Sequence, residues 1–310
     1  MMAKKKRHHY LPKFYLNGFV DPNNKPYIWV YEKANPTIKK ATPRDIAVEK
    51  HYYSFTTLEG NKDSETFENI LSIIEGHAAP IFEKVKNHQS LDEEERVWFA
   101  AFLALTMTRV PNFRKNIEEA TVQIVKKQNM IVASDRAWLK SKIEDLERET
   151  GKKIEVSVED LQRFILSGQY DIKLDPQFSL RAISIAVDII PLFYKMSWSF
   201  LEATKDYKFV TSDNPIFYID PTHNPKSFYG IGLANRNIEL TFPVSKDLMF
   251  LGTWSKEIEG YKILNNKFVK ELNRRTISSA LRFVFSSQYS KELNRLVQKY
   301  KDSSPRMIVG

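Results

Sequence analysis

Four groups of residues in this chain have side chains suited to proton transfer, metal ligation or anion binding. They are His8 with His9, Glu68 with Glu75, Arg109, and Asp213 with Asn214. Imidazole and carboxylate groups can share acid–base work or hold a divalent cation, and a guanidinium clamps phosphate through paired donors. Glu68 and Glu75 are seven residues apart in a helical pattern, so they lie on one line, rotated by roughly 90° from the stripe centred on Phe67, Leu71 and Ile74. That edge position suits carboxylates aimed into a cleft and, equally, two solvated boundary glutamates. Arg109 falls in register with Trp98, Phe102 and Leu105. A guanidinium on an apolar helix face needs a partner, which makes it either half of a structural salt bridge or an anion clamp. "FVTSDNP" (Phe209 to Pro215) reads as a strand running into a tight turn. Asp213 stands where metal-dependent hydrolases commonly place a ligand, and turn chemistry alone also explains it. With Arg7 to Leu11 extended, His8 and His9 point to opposite sides, so only one of them can face a site.

These residues need elements to hold them. Pro12 can open a short helix that Gly18 stops, and "PYIWVYEK" (Pro26 to Lys33) and "HYYSF" (His51 to Phe55) read as strands. A short helix is expected between them, entered at Thr42 or Pro43. From Glu65 to about Asn87, Phe67, Leu71, Ile74, Ala78, Ile81 and Val85 make one buried stripe, with Pro80 as a possible kink. Helices follow over roughly Asp92 to Arg109, Asn112 to Gln128 and Ser134 to Thr150. Another is capped by Ser157 and stopped by Gly168, and one more runs from Gln177 to Tyr194. Beyond it, "SWSFLEAT", "YKFVTS", "PIFYID", "IELTFPV" and "DLMFLGTW" suggest an antiparallel sheet. A helix from about Gly260 to Ser279, the strand "RFVFSS" and a last helix ending near Lys301 close the chain.

The expected fold class is therefore α+β: an antiparallel or mixed sheet built from N-terminal and C-terminal strands, packed against a central multi-helix region. A single domain over 7–310 is expected, with a helical insertion at about 112–175 and a disordered basic tail at 1–6.

Composition narrows the function classes. The 310 residues are 42% hydrophobic and 13% aromatic with 10 glycines, as in a folded domain with a sizeable core. No apolar run approaches the roughly 18 residues of a membrane span, and the basic head lacks the apolar segment of a secretory signal. Without cysteine there is no disulfide framework, thiolate metal site or cysteine nucleophile, and a cytoplasmic location is expected. Lys+Arg of 47 against Asp+Glu of 38 gives +9, which favours nucleic acid as a partner and excludes nothing. The phosphate-binding, dinucleotide-binding and serine-hydrolase glycine motifs are absent, as is HExxH.

Several segments together resemble the bacterial domain of unknown function 4238 family. In order they are "HHYLPKFYLNGF", Tyr53–Ser54 followed by the helix of Glu68 and Glu75, "TRVP" (Thr108 to Pro111), "FVTSDNP" and "TFPVS" (Thr241 to Ser245). The resemblance spans roughly positions 7 to 285. It implies a single bacterial cytoplasmic domain and supplies no activity. It also implies that His8, His9, Glu68, Glu75, Arg109, Asp213 and Asn214 belong to one site, since scattered polar residues of this kind converge on sites more often than on cores.

The reaction expected of such a site is metal-dependent phosphodiester hydrolysis of RNA or DNA. Glu75, Asp213 and His9 would hold Mg²⁺ or Mn²⁺, and Arg109 would steady the developing phosphorane. Glu68 would be a second-layer group or further ligand, His8 or His9 a base, and Asn214 would orient substrate. Bacterial proteins of this size and type often act in phage defence or as toxins, an association that no residue carries. Two alternatives stand beside it. One is a non-catalytic nucleic-acid-binding, protein-binding or sensor module with a buried polar network. The other is a metal-free hydrolase of a phosphorylated small molecule.

Overall fold

A helix buried on every side from Phe99 onward sets the architecture. The computed structural model describes residues 7–56, 62–63, 65–175, 178–224, 230–256 and 259–307. The expected basic tail and the expected helix start at Gln177 lie outside the described residues.

In chain order the N-terminal part contains β1 (Arg7–His9), α1 (Lys13–Asn17), β2 (Ile28–Glu32), β3 (Asn35–Ala41), β4 (Val48–Lys50), β5 (Phe55–Thr56) and β6 (Lys62–Asp63). The helices α2 (Thr66–Lys86), α3 (Glu93–Arg109), α4 (Pro111–Ser134), α5 (Arg136–Thr150), α6 (Val158–Ser167) and α7 (Phe178–Lys195) follow. The C-terminal part contains β7 (Ser197–Glu202), β8 (Thr211–Ser212), β9 (Phe217–Ile219), β10 (Glu239–Pro243), β11 (Leu248–Thr253), β12 (Gly260–Ile263), α8 (Asn266–Ser279), β13 (Phe283–Ser286) and α9 (Lys291–Lys299).

The protein is α+β. One five-stranded sheet, ordered β12-β7-β11-β10-β9, is antiparallel except where β12 runs parallel to β7. A four-stranded antiparallel sheet, β3-β2-β13-β8, joins the two ends of the sequence. β1 pairs with β4, aligning His8 with Glu49, and β5 pairs with β6.

The central helix α3 opens with a reciprocal cap. The Asp92 carboxylate accepts from the Glu95 amide at 2.8 Å, and Glu95 accepts from the Asp92 amide at 3.1 Å. Phe99 and Phe102 then meet Trp198, Phe250 and Phe242 of the five-stranded sheet with ring centroids 5.3–6.2 Å apart. Phe82 of α2 packs on Phe102 at 5.0 Å. Tyr15 of α1 stacks on Phe242 and exchanges a 2.5 Å hydrogen bond with Thr211 of the other sheet, so this short helix ties the two sheets together. On α2 the buried residues are Leu71, Ala78, Ile81, Phe82 and Val85, and the helix continues through Pro80.

The structure corrects several local expectations. His51 to Ser54 is a turn, because His51 adopts φ 56° and breaks the extended run; the strand is the preceding Val48–Lys50. The short helix at Thr42 is a single turn closed by Asp45, whose amide donates to the Thr42 carbonyl and whose carboxylate accepts from the Thr42 hydroxyl. The unexpected β3 is an edge strand, where Pro36 is tolerated because a ladder donor is not needed. Gly260 begins the parallel strand β12, and the helix starts only after Asn265, whose side chain caps it by accepting from the Phe268 amide. α4 extends to Ser134, and Asp135 caps α5 by accepting from the Ala137 and Trp138 amides.

Candidate functional site

Apart from His9, the predicted site residues lie in two polar centres. The first gathers around the C-terminus of α3. Arg109 is the last residue of that helix and only 1% exposed, and its Nη1 donates to Glu75 Oε1 at 2.7 Å. A cation at a helix C-terminus also meets the negative end of the helix dipole. The face of the guanidinium lies 6.0 Å from the Phe102 ring. Its Nε and Nη2 have no hydrogen-bond partner among the described residues. Those two donors form the side-on edge of the guanidinium, the fork that grips two oxygens of a phosphate or carboxylate.

His8 comes to the same centre on β1. It is fully buried, stacked on Tyr53 with centroids 5.5 Å apart, and its Nδ1 accepts from the Tyr53 amide at 2.9 Å. An accepting Nδ1 is unprotonated, which assigns the ring proton to Nε2. Nε2 faces Glu68 Oε1 at 3.8 Å. Glu68 and Glu75 sit one above the other on α2, partly exposed at the rim of this centre.

Tyr52 and Tyr53 complete the centre. The Tyr52 hydroxyl donates to the Arg109 carbonyl at 2.7 Å, and Arg114 caps the Tyr52 ring at 4.0 Å while donating to the Tyr52 carbonyl. Burial pushes the Tyr53 hydroxyl well above its ordinary range, with Arg109 pulling the other way. His9 points away from this centre, as the strand alternation requires. Its Nε2 donates to the Arg44 carbonyl at 3.2 Å, and burial, followed by the Lys13 charge, lowers its pKa.

The second centre surrounds Asp213, where β8 leaves the four-stranded sheet. Asp213 is 3% exposed. Its Oδ1 accepts from the Leu281 amide at 2.8 Å, and its Oδ2 accepts from the Arg282 and Phe283 amides at 2.7 and 2.9 Å. Burial raises its pKa to about 6, against the pull of those three amides and of Lys33. Lys33 is itself buried, and its Nζ donates to the Ala280 and Ser303 carbonyls at 2.6 and 2.5 Å. Burial lowers its pKa to about 8. Asn214 donates to the carbonyl and hydroxyl of Ser279 at 2.9 and 3.0 Å, and the Ser279 hydroxyl donates back to the Asn214 carbonyl. This centre is a clasp that fixes the segment between α8 and β13.

The structure thus brings His8, Glu68, Glu75 and Arg109 together, and gives Asp213 and Asn214 a different set of partners. Among the described residues, no three His, Asp or Glu side chains are grouped as metal ligands. Sequence reasoning missed Tyr52, Tyr53, Arg114, Lys33 and Ser279. Lys33 carried a signal: with Glu32 it ends the apolar run "YIWVY", where charged residues must be paired or leave the sheet. Tyr53 stood only among the family-like segments and Tyr52 carried no signal, since the place of both depends on the left-handed turn at His51.

Among the described residues no helix is long and apolar enough to cross a membrane. The family model described as "Protein of unknown function (DUF4238)" matches residues 7–290, and the chain belongs to that family. No curated protein and no solved structure gives a significant match.

Proposed function

We propose that this member of the DUF4238 family is a phosphoester hydrolase whose phosphate clamp is the side-on edge of Arg109. The observation that carries the reading is the pair of buried donors, Nε and Nη2, with no partner among the described residues. A buried donor left unpaired costs about 1–3 kcal/mol, more when charged, and two phosphoryl oxygens would satisfy both at once. Glu75 holds the guanidinium through Nη1 and leaves that edge without a partner among the described residues. Glu68 is the general base that takes a proton from the attacking water. His8 cannot be that base at Nε2, because that nitrogen carries the proton while Nδ1 accepts from the Tyr53 amide. It serves as a fixed donor that positions Glu68. Their 3.8 Å separation is of the kind that tightens when a substrate is bound.

The expected role of Mg²⁺ or Mn²⁺ gains no support from Asp213, whose two oxygens already accept three amides. The test is hydrolysis of p-nitrophenyl phosphate and bis(p-nitrophenyl) phosphate, in EDTA and with Mn²⁺. Wild type should turn over in EDTA, Glu68→Gln should lose about 10²-fold or more in kcat, and Arg109→Lys should chiefly raise KM. Equal activity in Glu68→Gln would sink the reading, and turnover confined to Mn²⁺ would move it to metal chemistry.

A further inference from the structure

A concave site lies towards the C-terminal end of the sequence, between α8, α9 and the loop before β8. It encloses about 650 Å³ and shares no lining residue with the centre around Arg109. Its inner wall is apolar, with Leu293 and Leu296 of α9 facing Val210. Two aromatic rings stand at its mouth instead of packing into the core. Phe268 is 57% exposed and Tyr207 36% exposed. Lys267 and Lys270 flank Phe268 on the first turns of α8, and Lys270 Nζ lies 4.3 Å from the centre of the Tyr207 ring.

The lining carries four cations, Lys208, Lys267, Lys270 and Arg274, against two carboxylates, Glu271 and Glu292, so the groove is net positive. Its Arg274 is paired to Glu271 and its Lys208 to Asp247. Lys267 and Lys270 have no carboxylate within salt-bridge distance among the described residues. An exposed phenylalanine beside two cations that have no carboxylate partner among the described residues suits a ligand with a flat apolar face and regular negative charge.

We propose that this groove docks a single strand of nucleic acid. One base stacks on Phe268 and a neighbour on Tyr207, while Lys267 and Lys270 contact the phosphates between them. Alternating aromatic platforms and cations are the physical requirement for holding a flexible polyanion whose bases are unpaired. A duplex hides those faces, and an acidic peptide has no flat groups at each charged unit. The inference stands on the groove alone and does not depend on the hydrolase reading.

Fluorescence anisotropy of the whole protein with labelled 12-nucleotide RNA and DNA single strands, and with the same DNA as a duplex, tests it. Melting curves of each variant run alongside. The single strands should bind more tightly than the duplex. Lys267→Glu with Lys270→Glu should weaken them by at least tenfold and flatten the salt dependence by about two phosphate contacts. Phe268→Ala should weaken them by about fivefold or more, and melting should be unchanged because the ring is exposed. No binding at micromolar protein overturns the proposal. Equal binding of duplex, or full competition by polyglutamate with Phe268→Ala unaffected, would show a generic polyanion surface and overturns it as well.

Discussion

Arg109 and Asp213 are both buried charges carried at the end of a regular element, and they are satisfied in opposite ways. Asp213 accepts three backbone amides from one short segment and has Lys33 nearby. Arg109 uses one nitrogen for Glu75 and leaves two donors without partners. A charge whose capacity is filled by its own backbone holds structure in place. A charge with an open fork is, on the reading proposed above, arranged for a ligand. The difference lies in the partners, since burial is nearly the same for both.

The sharpest way to break this contrast is Asp213→Ala. It strips the acceptor from three amides and the counter-charge from Lys33, and should cost about 3–5 kcal/mol in urea unfolding. A wild-type midpoint in that variant would mean that the clasp holds nothing. The pH dependence tests the same group. Its folded pKa of about 6 lies above the ordinary carboxyl value of 3.8, so the folded state binds the proton more tightly. The contribution of this group to stability is then greatest below about pH 4 and falls as pH rises to about 6, by up to about 3 kcal/mol. Subtracting the profile of Asp213→Asn isolates it; a flat difference would refute the raised value.

Arg109→Lys keeps a cation beside Glu75 and removes the fork. It should cost about 1–2 kcal/mol and, more tellingly, abolish the rise in Tm that the clamp reading expects of wild type with millimolar inorganic phosphate. If phosphate shifts neither protein, the open fork is not an anion site. The smallest effect is expected from metal: EDTA followed by Mn²⁺ should leave the wild-type Tm within a degree. A rise that Glu75→Gln removes would put a cation on α2.

The α+β class, the long helices and the edge position of Glu68 and Glu75 were legible in the sequence because they follow from period and spacing. So was the opposite facing of His8 and His9, which alternation dictates. What escaped depends on single backbone conformations and distant pairings. The left-handed φ of His51 turns a plausible strand into the turn that presents Tyr52 and Tyr53. The filling of Asp213 by residues 281–283 joins segments about 70 residues apart, and no local pattern encodes it. "SDNP" announced a turn correctly, but a turn aspartate reads the same whether it faces a metal or its own chain.

The four-stranded sheet carries one more consequence. β2 is made early, yet the strand that completes its pairing is β13, and Arg282 reaches Glu32 across 250 residues. At roughly 5–20 residues per second of synthesis, "IWVYE" waits on the order of tens of seconds on the ribosome with its edge unpaired. Until β13 emerges, that edge of β2 is open to pairing with other chains. Slowing synthesis late in the message should therefore lower the yield of folded protein.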